Sequence, residues 1–508
     1  RIAEYNFDNS GEWLIGKTKT KELSLYNLTK GTEKRFSNIS EYSVAASVKS
    51  LLLKTTDANL QYVRLPEGVA KTIWQIKEKT GIGNYSLDAS GSRVLFTTID
   101  SSNAMNNSVW YYEEVMDKAF LKATNKTAGI PSGLTISGAS FTDNGRHIKL
   151  SLQSKAETPG KLTDDMVGVE VWNHKDVSLQ SLQAKQGGDP KSYSAILNIE
   201  TGKLGFLESD TKKISMVQGD FALVKNDYSD LVGDRFWEKK EEDSAWVVNL
   251  KDGSSNLVST GPSNQYWFSP SGNYLVYFIA NGCQYYSYDL RSGVSKNMSS
   301  NLSPNQLGTF DRYSEKAEGP KRASLAAWME KDGGLLVYDN YDIWKLDLRG
   351  KEPAVNITNG FGKANTIVLS LMANYRGENR NLVLKANESL ILQTYNTSNK
   401  QNGFYKKVIG KVGNPQLLSM GNYFTNLIGG CQDVNLSNEF EPRPAKAKNV
   451  NYWIVQRQSA SEATNYFETA DFVNFKQLTN VQPQKNYQWL SQELVSFKHL
   501  DGKIGQGI

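Results

Sequence analysis

The sequence predicts an all-β fold, a β-propeller of about eight four-stranded blades, with seven as the alternative. Three observations predict it: two recurring glycine turns, a nearly regular spacing between the glycines that close one of them, and scarce helical periodicity. The chain has 508 residues, more than one ordinary core accommodates, so a repeat array or several domains is expected. Its 25 Tyr, 19 Phe, 11 Trp and 41 Gly, set against only 13 Pro, suit many short strands joined by tight turns.

The first turn places a small or polar residue and Gly ahead of an apolar strand. It occurs as Asn9-Ser10-Gly11-Glu12-Trp13-Leu14-Ile15, Ala89-Ser90-Gly91-Ser92-Arg93-Val94-Leu95-Phe96, Asp143-Asn144-Gly145, Pro270-Ser271-Gly272 and Lys331-Asp332-Gly333-Gly334. Glycine reaches the positive φ that such hairpins need, and the β-branched and aromatic residues behind it suit a pleated strand. The second turn closes an alternating strand, as in Leu25-Tyr26-Asn27-Leu28-Thr29-Lys30-Gly31. Its later copies close at Gly202, Gly253, Gly293 and Gly350, spaced by 51, 40 and 57 residues. A period near 50 made only of strands is that of stacked four-stranded modules, none of which can bury its faces alone. A string of β-sandwiches would show periods near 100 and linkers, and neither is visible. Only Val109–Ala123 and Asp176–Lys185 read as amphipathic helices, expected as excursions from blade edges.

Composition excludes several function classes. The net charge of +5 is the remainder of 58 basic and 53 acidic residues, and these are interleaved from end to end rather than gathered into a nucleic-acid-binding stripe. The longest apolar runs, such as Ser50–Lys54 and Trp453–Val455, fall far short of the ~20 residues that span a bilayer. Mean hydropathy is −0.50. No signal peptide is visible ahead of the first strand pattern. Cys283 and Cys431 are too few for a zinc site, and the sequence leaves open whether they pair.

Hydrolytic chemistry needs a base beside a nucleophile. The three histidines are His147 in a strand pattern, His174 in a polar stretch and His499 near the end, and no Gly-x-Ser-x-Gly elbow accompanies them. No phosphate-binding loop exists either, Gly81-Ile82-Gly83 being an isolated turn fragment. The expectation is therefore no catalytic residue, no metal and no cofactor in this chain. Carboxylate pairs for glycan chemistry have no motif behind them.

Three stretches resemble a specific group, the bacterial S9 (prolyl oligopeptidase and dipeptidyl peptidase IV-like) serine peptidases. They are Val169-Glu170-Val171-Trp172-Asn173-His174-Lys175-Asp176 with Leu179–Gln183 and Tyr193–Lys203, then Val337–Asp347 with Asn356–Gly360, and the tail Asn465–Phe467, Phe475–Thr479 and Trp489–Ile508. Val171 and His174 depart from the group's pattern. The resemblance implies that residues 1–485 form the propeller and 486–508 its last strand and the start of a linker into an α/β-hydrolase domain. The catalytic Ser, Asp and His would lie in that domain. It also implies an exported, periplasmic location and peptide substrates met through the hydrolase domain, with homodimerisation left open. Asn27, Asn125 and Asn356, which open Asn-x-Ser/Thr sequons, then reflect only an Asn- and Ser-rich chain.

The same resemblance singles out Glu113 and Glu114. They follow Trp110-Tyr111-Tyr112 at the start of the expected helix, and in dipeptidyl peptidase IV-like enzymes paired glutamates grip a peptide's free amine. Two carboxylates in a partly dry cavity suit an ammonium. Acidic residues also open exposed helices simply to complement the dipole, and Val115 stands where the group carries a further acid. Three functions compete on sequence: a substrate-gating propeller of a serine peptidase, a stand-alone cell-envelope propeller for protein interaction, and a glycan-active propeller.

Overall fold

The computed structural model describes residues 2–507 except 9–10, 46–48, 66, 77–79, 101–106, 143–144, 156–189, 228–243, 262–263, 309–322, 373–381, 426–443, 448–449 and 490. The chain divides into two compact units, residues 1–260 and 261–508. Both are built from antiparallel sheets of the blade kind, and the fold is all-β and propeller-type.

The first unit holds five four-stranded sheets in chain order. The first comprises Ile2–Phe7, Trp13–Thr18, Leu23–Asn27 and Thr32–Phe36. The second comprises Ile39–Val44, Ser50–Thr55, Leu60–Arg64 and Ala70–Trp74. The third runs through Thr80–Leu87, Arg93–Asp100, Ser108–Glu113 and Phe120–Thr124. The fourth spans Leu134–Phe141 to Leu204–Phe206, and the fifth Lys212–Gln218 to Ser255–Ser259. Each is a meander in which every strand pairs with the next along the chain.

The second unit adds four sheets and a hairpin. The sixth sheet runs from Gln265–Phe268 to Val294–Asn297. The seventh, Leu325–Met329 to Val355–Asn356, takes Val383–Leu384 as a parallel fifth strand. The eighth comprises Ile367–Leu371, Ser389–Asn396, Asn402–Val408 and Gln416–Gly421. The ninth comprises Ala445–Lys446, Trp453–Arg457, Asn465–Thr469 and Lys476–Gln477. Val495–Lys498 and Ile504–Gly507 then form a separate two-stranded hairpin. Among the described residues, eight sheets are thus four-stranded and one is five-stranded. The total passes the count from a 50-residue period because some sheets are compact, the first spanning only residues 2–36.

Inside each unit, consecutive sheets pack face to face. Leu51 and Leu53 join Trp13, Ile15 and Leu25 of the first sheet, whereas Leu52 between them joins Val94 and Phe96 of the third. Leu95 in turn joins Ile148 and Leu150 of the fourth. The period-2 alternation of a strand thereby feeds two cores at once, which is why central strands read as unbroken apolar runs. Outer strands, such as Thr32–Phe36, are mostly exposed. The second unit repeats the scheme: Trp328, Val337 and Leu346 meet Val276 and Phe278, while Leu336 and Ile343 meet Leu369, Leu390 and Leu392.

Val109–Ala123 is not the helix its spacing predicts: Ser108–Glu113 and Phe120–Thr124 are neighbouring strands of the third sheet, joined by a turn. Val109 and Tyr112 pack on opposite faces, against Ile148 and Leu150 on one side and Tyr62 and Trp74 on the other. A helix would bury one face only, so burial of both overrides the helical spacing. Asp176–Lys185 lies outside the described residues, as do His174 and Cys431.

Candidate functional site

Glu113 ends the Ser108–Glu113 strand directly opposite Arg93 in the neighbouring strand. Its Oε1 lies 3.6 Å from the Arg93 guanidinium, and Tyr111 Oη donates to its Oε2 at 3.4 Å. Glu114 begins the turn, its amide donating to Ser92 O at 2.9 Å, and Met116 N donates back to Glu113 O at 2.8 Å. The Glu114 carboxylate pairs with Arg64, the last residue of a second-sheet strand. That carboxylate holds the exposed Arg64 guanidinium above its ordinary pKa.

A layer of buried phenols underlies the carboxylates. Tyr62 and Tyr112 rings lie 5.4 Å apart. Tyr62 Oη and Ser50 Oγ both donate to Gly91 O, at 2.9 and 2.5 Å, clamping the turn that carries Arg93. Arg93 Nη1 reaches across to Gly145 O at 2.7 Å. Burial pushes the Tyr112 phenol up to about 12 and raises Tyr62 and Tyr111 as well. These phenols therefore stay protonated and act as donors and packing groups.

The site so assembled holds two carboxylates and two guanidiniums, charge-balanced at the rim of the third sheet. Arg64 and Glu114 side chains keep 58% and 28% of their surface, so the pair is solvated and weak. An ammonium could exchange with a guanidinium here at small cost. The sequence singled out the two glutamates and neither of the arginines that pair with them. Arg93 was findable, because it opens one strand of a hairpin whose partner strand ends at Glu113. Arg64 was not, since the approach of the second sheet to the third leaves no local signal.

The remaining marked residues have structural partners. His147 opens a buried strand, and Asn198 Nδ2 lies 3.2 Å from its Nε2. The His499 ring leans on Phe497 at 5.0 Å. Cys283 is buried, with Sγ 3.4 Å from Asn305 Oδ1. Among the described residues, no group of three or more His, Cys, Asp or Glu side chains is placed to hold a metal ion. No described helix is long and apolar enough to cross a membrane.

The stretch Val337–Asp347 with Asn356–Gly360 is an internal staple. Asp339 Oδ2 accepts from Trp344 Nε1 at 2.8 Å, and its Oδ1 from the amides of Tyr341 and Asp342. Buried Asp342 accepts from Thr358 Oγ1 at 2.7 Å and from the amides of Gly362 and Lys363. These bonds tie the seventh sheet to the connection entering the eighth. Of the first stretch, Val169–Gln183 lies outside the described residues, while Tyr193–Lys203 forms a fourth-sheet strand and its turn.

No known protein-family description matches the sequence. No curated protein matches it either. Solved structures do resemble it. Porphyromonas gingivalis dipeptidyl peptidase 4 aligns over 100% of this chain and 64% of its own, at 13% identity and a TM-score of 0.42. A putative dipeptidyl aminopeptidase IV from Bacteroides ovatus aligns over 97% of this chain and 54% of its own, at 11% identity and TM-score 0.34. The β-propeller domain of the Trilobed protease from Pyrococcus furiosus aligns over 94% and 99%, at 9% identity and TM-score 0.28. The chain thus spans under two thirds of the length of the two dipeptidyl peptidases.

Proposed function

We propose that the chain is the non-catalytic, substrate-gating propeller region of an S9-type serine peptidase that cleaves short peptides. The observation that carries the reading is the tail. Beyond the ninth sheet the chain leaves blade geometry and forms the Val495–Lys498/Ile504–Gly507 hairpin, whose Val495, Phe497 and Ile504 are 49%, 50% and 68% exposed. Such a hairpin suits the first strands of a domain still to be packed on it, matching the resemblance of this segment to the opening of an α/β-hydrolase. The triad would come in that domain, roughly 200–260 residues long. The whole protein would be exported to the periplasm.

Within this reading, Glu113 and Glu114 receive the free amine of the peptide by exchange with Arg93 and Arg64. In the full-length enzyme, Glu113→Gln and Glu114→Gln should each raise KM for an N-terminally free peptide by roughly tenfold, worth about 1.4 kcal/mol. The same peptide with a blocked amine should be insensitive to both changes. An unchanged KM would remove the amine-binding role. A reading frame that stops at residue 508, or a parent protein that cuts folded proteins as fast as short peptides, would remove the gating role.

A further inference from the structure

Arg457 closes the Trp453–Arg457 strand of the ninth sheet, on the face that Trp453 and Val455 pack against the eighth. Its guanidinium carbon lies 3.5 Å from the ring centroid of Phe475, 4.3 Å from that of Tyr423 and 5.3 Å from that of Phe467. Aromatic faces stabilise a guanidinium and leave its edge free for a planar anion. Arg457 Nε is buried with no hydrogen-bond partner, and no carboxylate among the described residues forms an ion pair with this side chain. Burial holds the group below its ordinary pKa.

Two hydroxyls of the same unit are also buried without a partner. Phe424 and Gln458 exchange backbone hydrogen bonds of 2.7 and 3.1 Å as an antiparallel bridge, which sets Thr425 across from Arg457. Thr425 is 1% exposed. Its Oγ1 has no partner, while its carbonyl accepts from Gln393 Nε2 at 2.7 Å. Ser419 pairs in register with Phe404, the ring of which lies in this core against Phe472 at 4.8 Å. Ser419 Oγ is likewise buried and partnerless. Buried polar atoms are nearly always satisfied, and here one guanidinium nitrogen and two hydroxyls lack hydrogen-bond partners among residues of the eighth and ninth sheets and their connection.

We propose that Arg457, Thr425 and Ser419 form a recess between the eighth and ninth sheets that receives a carboxylate of a peptide. The guanidinium fork takes the two oxygens, and the hydroxyls donate to them. One positive charge balances a carboxylate, whereas a phosphate dianion would call for more. The carboxylate comes either from a peptide's C-terminus or from an acidic side chain. This inference concerns binding alone and does not rest on the gating reading.

The test is calorimetric titration of the 508-residue chain with three probes: N-acetyl-dialanine, its C-terminal amide, and the amide of N-acetylglutamate. Binding of the first assigns the site to a C-terminus, binding of the third to an acidic side chain, and the uncharged amide should not bind. Arg457→Gln should abolish binding. Arg457→Lys, which keeps the charge but loses the fork, should weaken it about tenfold. Thr425→Val should weaken it several-fold while leaving the far-ultraviolet dichroism of the free chain unchanged. Failure of both carboxylates to bind, equal binding of the amide, or affinity unchanged in both Arg457→Lys and Thr425→Val overturns the proposal. The last comparison stands even if Arg457→Gln does not fold.

Discussion

His147 shows how a residue that looks chemical in sequence becomes structural in context. It lies at the start of a buried strand, with its Nε2 facing the Asn198 amide and its carbonyl accepting from Thr142 Oγ1 at 3.1 Å. Burial pulls its pKa below the ordinary 6.5, with Asp220 and the Gly219 carbonyl opposing. The folded chain therefore keeps the ring neutral where the unfolded chain protonates it. Stability from this residue is fully present above about pH 6.5 and falls as the pH drops through that value, levelling off below the folded pKa. Urea unfolding at about pH 7.5 and about pH 5 checks this. The parent chain should lose more stability between the two than His147→Gln, and equal losses would show that the ring is not the titrating group. The sequence placed His147 in a strand but could not say that it is buried, because burial depends on the fifth sheet. The same limit hid Arg64, whose pairing with Glu114 spans 50 residues.

At the scale of the element, one turn device is copied along the chain. The side chains of Asn27, Asn198, Asp289 and Asn396 each accept from the two amides that lie two and three residues ahead. Their carbonyls accept from the residue four ahead, which is Gly31, Gly202, Gly293 and Lys400. The glycines were legible and gave the period. The Asn or Asp four positions before Gly31, Gly202, Gly253 and Gly293 was equally legible, and it also marks the eighth-sheet copy, where Lys400 takes φ 64° in place of a glycine, though Leu346 stands at that place before Gly350. Glycines do two separable jobs here. Gly202 has φ 70° and open space around a would-be Cβ, so Gly202→Ala should cost only the backbone strain, about 1 kcal/mol. A Cβ on Gly403 would stand 2.1 Å from Ser419 O, forcing the two strands apart. Gly403→Ala should therefore destabilise the chain by about 3 kcal/mol or more. Equal midpoints for the two variants in thermal melts would contradict this division.

At the scale of the molecule, the repeat of sheet upon sheet was legible because each module carries its own turns and apolar alternation. The segment beyond the ninth sheet was legible only as a departure from that pattern. A two-stranded hairpin alone is marginally stable in water. The hairpin of residues 495–507 exposes its large apolar side chains, and Gln506 Nε2 donates to Ser398 O at 2.9 Å to tether it to the eighth sheet. Central strands of the sheets between others, such as Ser50–Thr55 and Ser389–Asn396, instead bury residues on both faces. Opening the hairpin therefore sacrifices little burial, whereas opening a central strand such as Ser389–Asn396 exposes Leu390 and Leu392 of one core and Ile391 of another. Local opening free energies should differ accordingly. Limited proteolysis of the 508-residue chain, read by mass spectrometry, should cut between residues 495 and 507 well before it cuts the strands of the eighth sheet. In a longer polypeptide carrying a further domain, the same bonds should become protected as Val495, Phe497 and Ile504 are covered. If the hairpin resists the protease as well as the eighth sheet does in the 508-residue chain, it is a finished element rather than a docking edge, and the proposed continuation into a catalytic domain loses its structural support.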